Sequence, residues 1–119
     1  MNTLYGINNC DSCRKARKAL DAQGIDYRYH DLRDDGLDRE RLTRFLAMAD
    51  LATLLNTRST TWRGLDAAEQ QAARSDAEHA SALILAQPTL LKRPLLDTGE
   101  RLLVGLPRDG YAGLNASAP

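Results

Sequence analysis

The strongest constraint on this chain is its opening, where two cysteines, Cys10 and Cys13, lie between a short β-compatible segment and a helical one. Residues 2–6 end on Gly6, and Asn8, Asn9 and Asp11 supply a polar turn with capping groups. The spacing then predicts a helix from about Asp11 to Gln23. Ala16, Ala19 and Leu20 form a narrow apolar face, Arg14, Lys15, Arg17 and Lys18 lie mostly outside it, and Gly24 is placed to stop the helix. From Ile25 to His30 the apolar residues Ile25, Tyr27 and Tyr29 alternate with polar ones, which is a strand pattern. Two strands joined by one helix pair in parallel, so the first thirty residues read as a β-α-β unit.

The middle of the chain reads as helical. Asp38 can cap a helix with Leu42, Phe45, Leu46 and Ala49 on one face, and Leu37 is placed to staple against Leu42. Asp66–Glu69 and Ser75–Glu78 both have the form of a capping box and each opens a further helix, the second stopping before Pro88. Residues Leu54–Arg63 read as a polar loop rich in hydroxyl groups and arginine. The end returns to β structure. Pro94-Leu-Leu and Arg101–Val104 flank a turn containing Gly99, and Pro107 can begin a last short helix through Tyr111 and Leu114. The tail from Asn115 to Pro119 is expected to fray. This order, β-α-β, helices, β-β-α, predicts an α/β thioredoxin-like fold over residues 1–119 as a single domain. Its four-stranded mixed sheet would be interrupted by a helical insertion at about 37–88.

Composition narrows the chemistry. Sixteen basic residues balance sixteen acidic ones, which removes any global electrostatic case for nucleic acid or an anionic membrane. No apolar run reaches the length of a membrane span, and residues 1–5 lack a basic region followed by an apolar one, so a cytoplasmic location is expected. Two cysteines are too few for a secreted disulfide scaffold. His30 and His79 have no paired spacing that would complete a metal site; they read as solvated or packing residues. A C-x-x-C in a reducing compartment reads first as a redox pair, against the alternative of two ordinary thiols in a helix.

Cys10 falls where a strand ends and a helix begins. Backbone N–H groups there lack intrahelical partners and carry the positive end of the helix dipole, so a thiolate is favoured over the thiol. Arg14 and Lys15 should push the same way, with Asp11 opposing weakly. Cys13, one turn on, is placed to attack a mixed disulfide on Cys10; alternatively it is a buried small hydrophobe that never titrates. Arg58 and Arg93 are candidates to hold an anion near the sulfur, although each taken alone also reads as a solvated surface side chain, as does Arg63. Pro94 is either a cis proline facing the nucleophile or a trans proline that starts an edge strand. Trp62 reads as a loop anchor.

Taken together, Tyr5-Gly-Ile-Asn-Asn-Cys10-Asp11, Thr57-Arg58 with Trp62-Arg63, and Lys92-Arg93-Pro94-Leu-Leu-Asp with Val104-Gly105 resemble the ArsC-like family over nearly the whole chain. That family includes glutaredoxin-coupled arsenate reductases, Spx transcriptional regulators and YffB-type glutathione-dependent thiol reductases. The resemblance implies Cys10 as nucleophile and a cis bond at Pro94. It implies Asn9, Arg58, Arg93 and Pro94 as the substrate- or glutathione-binding residues. Glutathione would be a co-substrate with no bound cofactor or metal, and glutaredoxin a possible partner. Gly6 stands where the arsenate reductases carry histidine, and Val104-Gly105-Leu106 where they carry a third arginine, which brings the chain nearer the YffB type. The resemblance leaves a second expectation, an Spx-like regulator that binds RNA polymerase through a Cys10–Cys13 switch.

Overall fold

The computed structural model describes residues 2–8, 10–112 and 114. They fall into two compact units, one built from the chain up to Asp35 together with the chain from Arg93 onward, the other from Gly36–Lys92.

The first unit is a thioredoxin-like sheet. Strand β1 (Thr3–Gly6) leads into helix α1 (Asp11–Ala22), and β2 (Arg28–Asp31) returns parallel to β1 with Thr3 opposite Arg28 and Gly6 opposite Asp31. The strand starts three residues later than the alternation from Ile25 suggests. Ile25 N–H is still bonded to the Leu20 carbonyl at the helix end, and the ladder begins only when Arg28 N–H reaches the Asn2 carbonyl. Strands β3 (Leu95–Asp97) and β4 (Leu102–Val104) form an antiparallel hairpin whose turn holds Gly99 at φ 95°, a conformation that favours glycine. With β3 antiparallel to β1, the sheet order is β2-β1-β3-β4.

Helix α1 buries Cys13, Ala16 and Leu20, spaced three and four residues apart on the face that meets the sheet. Ala16 and Leu20 pack with Leu4, Leu96 and Tyr111 in one core cluster, against which Ala19 and Ile25 are half-buried. Each fully buried leucine there stabilises the unit by about 2–3 kcal/mol relative to exposure. Gly24 at φ 67° ends the helix as expected. The segment after Pro107 is not the continuous helix that the sequence suggests. Bonds from Gly110 N–H to the Pro107 carbonyl and from Ala112 N–H to the Asp109 carbonyl close successive turns, and Tyr111 sits at φ 69°, which no helix accommodates. The tail from Asn115 to Pro119 lies outside the described residues.

The second unit is helical: α2 (Arg39–Met48), α3 (Leu51–Leu54), α4 (Thr60–Arg63), α5 (Ala67–Ser75), α6 (Ala77–Ala86) and a 3-10 turn at Pro88–Leu90. Asp38 caps α2 by accepting from Arg41 N–H, and Asp66 caps α5 by accepting from Glu69 N–H. The cap of α6 is Asp76 rather than Ser75. The Ser75 hydroxyl donates back to the Gln71 carbonyl inside α5, leaving the Asp76 carboxylate to take Glu78 N–H. The stretch expected as loop, Leu54–Arg63, begins on the last residue of one single-turn helix, α3, and ends in a second, α4. Ser59 caps the second by accepting from Trp62 N–H, and this fixes the buried Trp62 in the unit's core. Among the described residues no helix is long and apolar enough to cross a membrane.

Candidate active site

Cys10 is the N-cap residue of α1, in extended backbone (φ −109°, ψ 116°), with its carbonyl accepting the first helical bond from Arg14 N–H at 3.0 Å. It is half-buried, Cys13 is buried, and both thiols are free. The Cys13 N–H faces the Cys10 sulfur without closing a full cap hydrogen bond. Burial alone would push the Cys10 thiol up. Against it act the hydrogen bond from the Cys13 thiol, the Cys13 N–H, and both the hydrogen bond and the charge of Arg93; the net effect holds Cys10 below its ordinary value. Cys13 shows the opposite balance. Burial and the proton it shares with Cys10 push it up to about 12, and the Ile7 N–H facing it only partly compensates. Of the two thiols Cys10 is therefore the one that ionises first, with the Cys13 thiol as a donor to its sulfur.

The sequence places the electrostatic help on Arg14 and Lys15. The structure instead turns both toward Asp11, at 3.8 Å and 3.3 Å in solvent-exposed pairs, and Arg93 at the entrance to β3 is the cation that bears on Cys10. Arg93 was already a sequence candidate for a place near the sulfur, and the fold brings it there across eighty-three residues of chain. The Arg93–Pro94 bond is cis, and Pro94 is buried. Its carbonyl accepts from Gly105 N–H at 2.8 Å, with Gly105 at φ 81°. The Val104-Gly105 sequence is therefore a turn that a side-chain-bearing residue enters only under strain. Arg58 is exposed in the second unit, its backbone N–H bonded to Asn56 Oδ1. Asn9 lies outside the described residues.

Two features escape sequence reasoning. The Asp31 carboxylate, buried at the end of β2, accepts backbone N–H bonds from Asn8, Arg33 and Asp34 at 2.8–2.9 Å. Burial would raise it, but these three donors and the charge of Arg33 hold it below the usual carboxylate range. Asp31 thereby ties the loop that precedes Cys10 to the neighbouring strand. The second feature is a cleft of about 110 Å³ lined by Cys10 and Cys13, with Asn8, Arg14, Arg17 and Tyr29 among its other walls. The histidines take packing roles. His30 lies against the Tyr5 ring at 5.1 Å, and His79 Nε2 pairs with Glu69 at 2.8 Å. Among the described residues no three His, Cys, Asp or Glu side chains cluster as metal ligands would.

A thioredoxin-like sheet with a half-exposed free cysteine at its first strand–helix junction and a cis proline before its third strand is a scaffold suited to thiol chemistry. The model of the ArsC family matches residues 5–114, and the chain belongs to that family. The solved structure of the YffB protein is 44% identical, covers 95% of this chain and 97% of its own, and superposes with a TM-score of 0.85. An arsenate reductase (ArsC) related protein from Brucella melitensis is 43% identical with a TM-score of 0.77, covering 94% and 92%. A relative of another description, the global transcriptional regulator Spx of Streptococcus pyogenes, is 32% identical over 92% of this chain and 81% of its own.

Proposed function

We propose that this protein is a cytoplasmic thiol-disulfide reductase that uses Cys10 as nucleophile and glutathione as electron donor, with glutaredoxin able to stand in for it. The observation that carries this reading is the placing of Cys10, a free, half-exposed thiol at the N-cap of α1, with the Cys13 thiol and Arg93 both acting to lower its pKa. In the first step the thiolate attacks one sulfur of the substrate disulfide. The S–S bond breaks, its electron pair leaves on the other sulfur, and Cys10 is left in a mixed disulfide. In the second step a thiolate, either glutathione or Cys13, attacks that bond and expels the reduced product. The substrate gains two electrons and two thiols become a disulfide.

Charge coupling suits Cys13 to the second step. Once Cys10 is in a disulfide its negative charge is gone, which removes both the hydrogen bond and the repulsion that help keep Cys13 protonated. Burial still opposes ionisation, so a small external thiol competes for the same step. Arsenate is the poorer substrate in this reading, because Gly6 and Val104-Gly105 supply neither the histidine nor the third arginine of the family's arsenate reductases. Arg58 and Asn9 enter on family resemblance, as further binding groups for the substrate or glutathione.

The test is turnover of a glutathione mixed disulfide and of arsenate, with glutathione and glutaredoxin, in wild type, Cys10→Ser and Cys13→Ser. Loss of turnover in Cys10→Ser alone makes glutathione the resolving thiol; loss in both variants makes it Cys13. A second reading has its own support, since the chain carries a C-x-x-C pair and is 32% identical to an Spx regulator. No turnover of either substrate, with reversible Cys10–Cys13 oxidation that changes binding to RNA polymerase, would replace the reductase by that switch.

A further inference from the structure

The cleft beside Cys10 carries a feature that disulfide exchange as such does not require. It is walled by Arg14 and Arg17, has no acidic side chain among the described residues of its lining, and is bordered by Cys10 and Cys13. The two arginines are three residues apart on α1, so their side chains lie on one helix face and border the same space. Arg17 is positioned rather than loose, its guanidinium carbon lying 4.3 Å above the centre of the Tyr29 ring. With Tyr29 against one side of it, the guanidinium still has N–H donors to offer an anion. No carboxylate among the described residues pairs with Arg17. Arg14 is held only by its exposed 3.8 Å pair with Asp11, which also pairs with Lys15 at 3.3 Å. At about 110 Å³ the cleft has room for about three or four water molecules. That is the size of a carboxylate with the carbon that bears it.

We propose that this cleft is a recognition site for a carboxylate carried by the disulfide substrate, with Arg17 as its principal ligand and Arg14 as a second, mobile one. The inference rests on the reductase reading above and deepens it: the preferred substrates are disulfides of small acidic thiols. The site is separate from Arg93, which acts on the Cys10 sulfur. Tyr29 is a positioning residue, restraining the Arg17 guanidinium so that less freedom is lost when the anion arrives.

The experiment uses the fully reduced full-length chain in single turnover, so that no electron donor enters. The rate of mixed-disulfide formation at Cys10 is measured with two probes of similar size, the disulfide of mercaptoacetate and the disulfide of 2-mercaptoethanol. The quantity read is the ratio of the two rate constants in wild type, Arg17→Gln, Arg14→Gln and Tyr29→Leu. Because each ratio is internal to one protein, a general change in Cys10 reactivity or in folding cancels. The ratio should fall by about tenfold in Arg17→Gln, the scale of one charge-assisted hydrogen bond, and by less in the other two. In wild type it should also fall with added salt, as screening requires. A ratio unchanged within about twofold in Arg17→Gln, with wild type reacting with both probes, would overturn the recognition site and leave the reductase standing. Wild type that reacts with neither probe would remove both.

Discussion

Gly6 and Cys13 share one space. A β-carbon at residue 6 would lie 2.9 Å from Cys13 Sγ and 3.1 Å from both Cys13 Cβ and the Tyr29 hydroxyl. The first of these is closer than side chains pack, so the absence of a side chain on the last residue of β1 is what lets the second thiol sit under the first. The family's arsenate reductases carry histidine at this position; here Cys13 and Tyr29 take the room that side chain would need. Gly6→Ala therefore tests the dithiol arrangement directly. Replacing glycine in a strand ordinarily stabilises by about 0.4–1 kcal/mol through the unfolded chain. Overpacking costs about 1–3 kcal/mol and should win, lowering the melting temperature by several degrees. Adding Cys13→Ala should recover part of the loss, so the two changes will be non-additive in a double-mutant cycle read by urea unfolding.

Removing either donor to Cys10 should raise its pKa. Cys13→Ala deletes the thiol proton that the thiolate accepts, whereas Cys13→Ser keeps a hydroxyl donor in its place. Arg93→Gln removes the positive charge. Thiolate absorbance followed against pH should shift upward in Cys13→Ala and Arg93→Gln, and less in Cys13→Ser. An unmoved Arg93→Gln titration would show that the cation does not reach the sulfur.

Cys13 and Tyr111 make the protein sensitive to alkali. Burial pushes both up to about 12, with the Cys13 charge adding to the effect on Tyr111. The unfolded chain releases a thiol proton near about 8.5 and a phenol proton near about 10. Between those values and about 12 the unfolded state binds fewer protons than the folded one, so stability present below this range is lost as pH rises. Urea unfolding at pH 8 to 11 should show that loss flattened in Cys13→Ala and in Tyr111→Phe. Among the described residues the buried Tyr111 hydroxyl has no hydrogen-bond partner, so Tyr111→Phe should also be neutral or stabilising by about 1 kcal/mol near neutral pH.

Asp31 works at the other end of the scale. Its folded carboxyl lies below the ordinary value, so its contribution is present above about pH 4 and is lost as pH falls through the folded value. Asp31→Ala leaves three backbone N–H groups without their acceptor and should cost about 3 kcal/mol. Asp31→Asn should cost less and should flatten the acid limb. Since Asn8 is one of the three donors, the alkylation rate of Cys10 should fall in Asp31→Ala even where the protein remains folded.

Much of this was legible in the chain because local signals agreed. The β-α-β opening, Gly24 at the helix end, the Asp38 and Asp66 caps and the Gly99 turn all reappear in the structure. The cysteine pair at the junction was legible for the same reason. What was not legible depends on partners far apart in sequence. Arg93 was named as a candidate near the sulfur, but that it, rather than Arg14 and Lys15, bears on Cys10 is decided by the pairing of β3 with β1 and by Asp11. The contact of Gly6 with Cys13, and the bonds from Asn8 to Asp31, likewise exist only once the strand pair has formed. The single-turn helix Thr60–Arg63 was hidden by polar composition, although Ser59 three residues before Trp62 was a cap signal.

The most direct test of the central claim is the pH dependence of Cys10 alkylation in the reduced wild-type chain, with the labelled residue identified by peptide mapping. Iodoacetamide should label Cys10 and spare Cys13, with a rate midpoint below the ordinary thiol value of about 8.5. A midpoint at or above that value, or label on Cys13 in place of Cys10, would contradict the account.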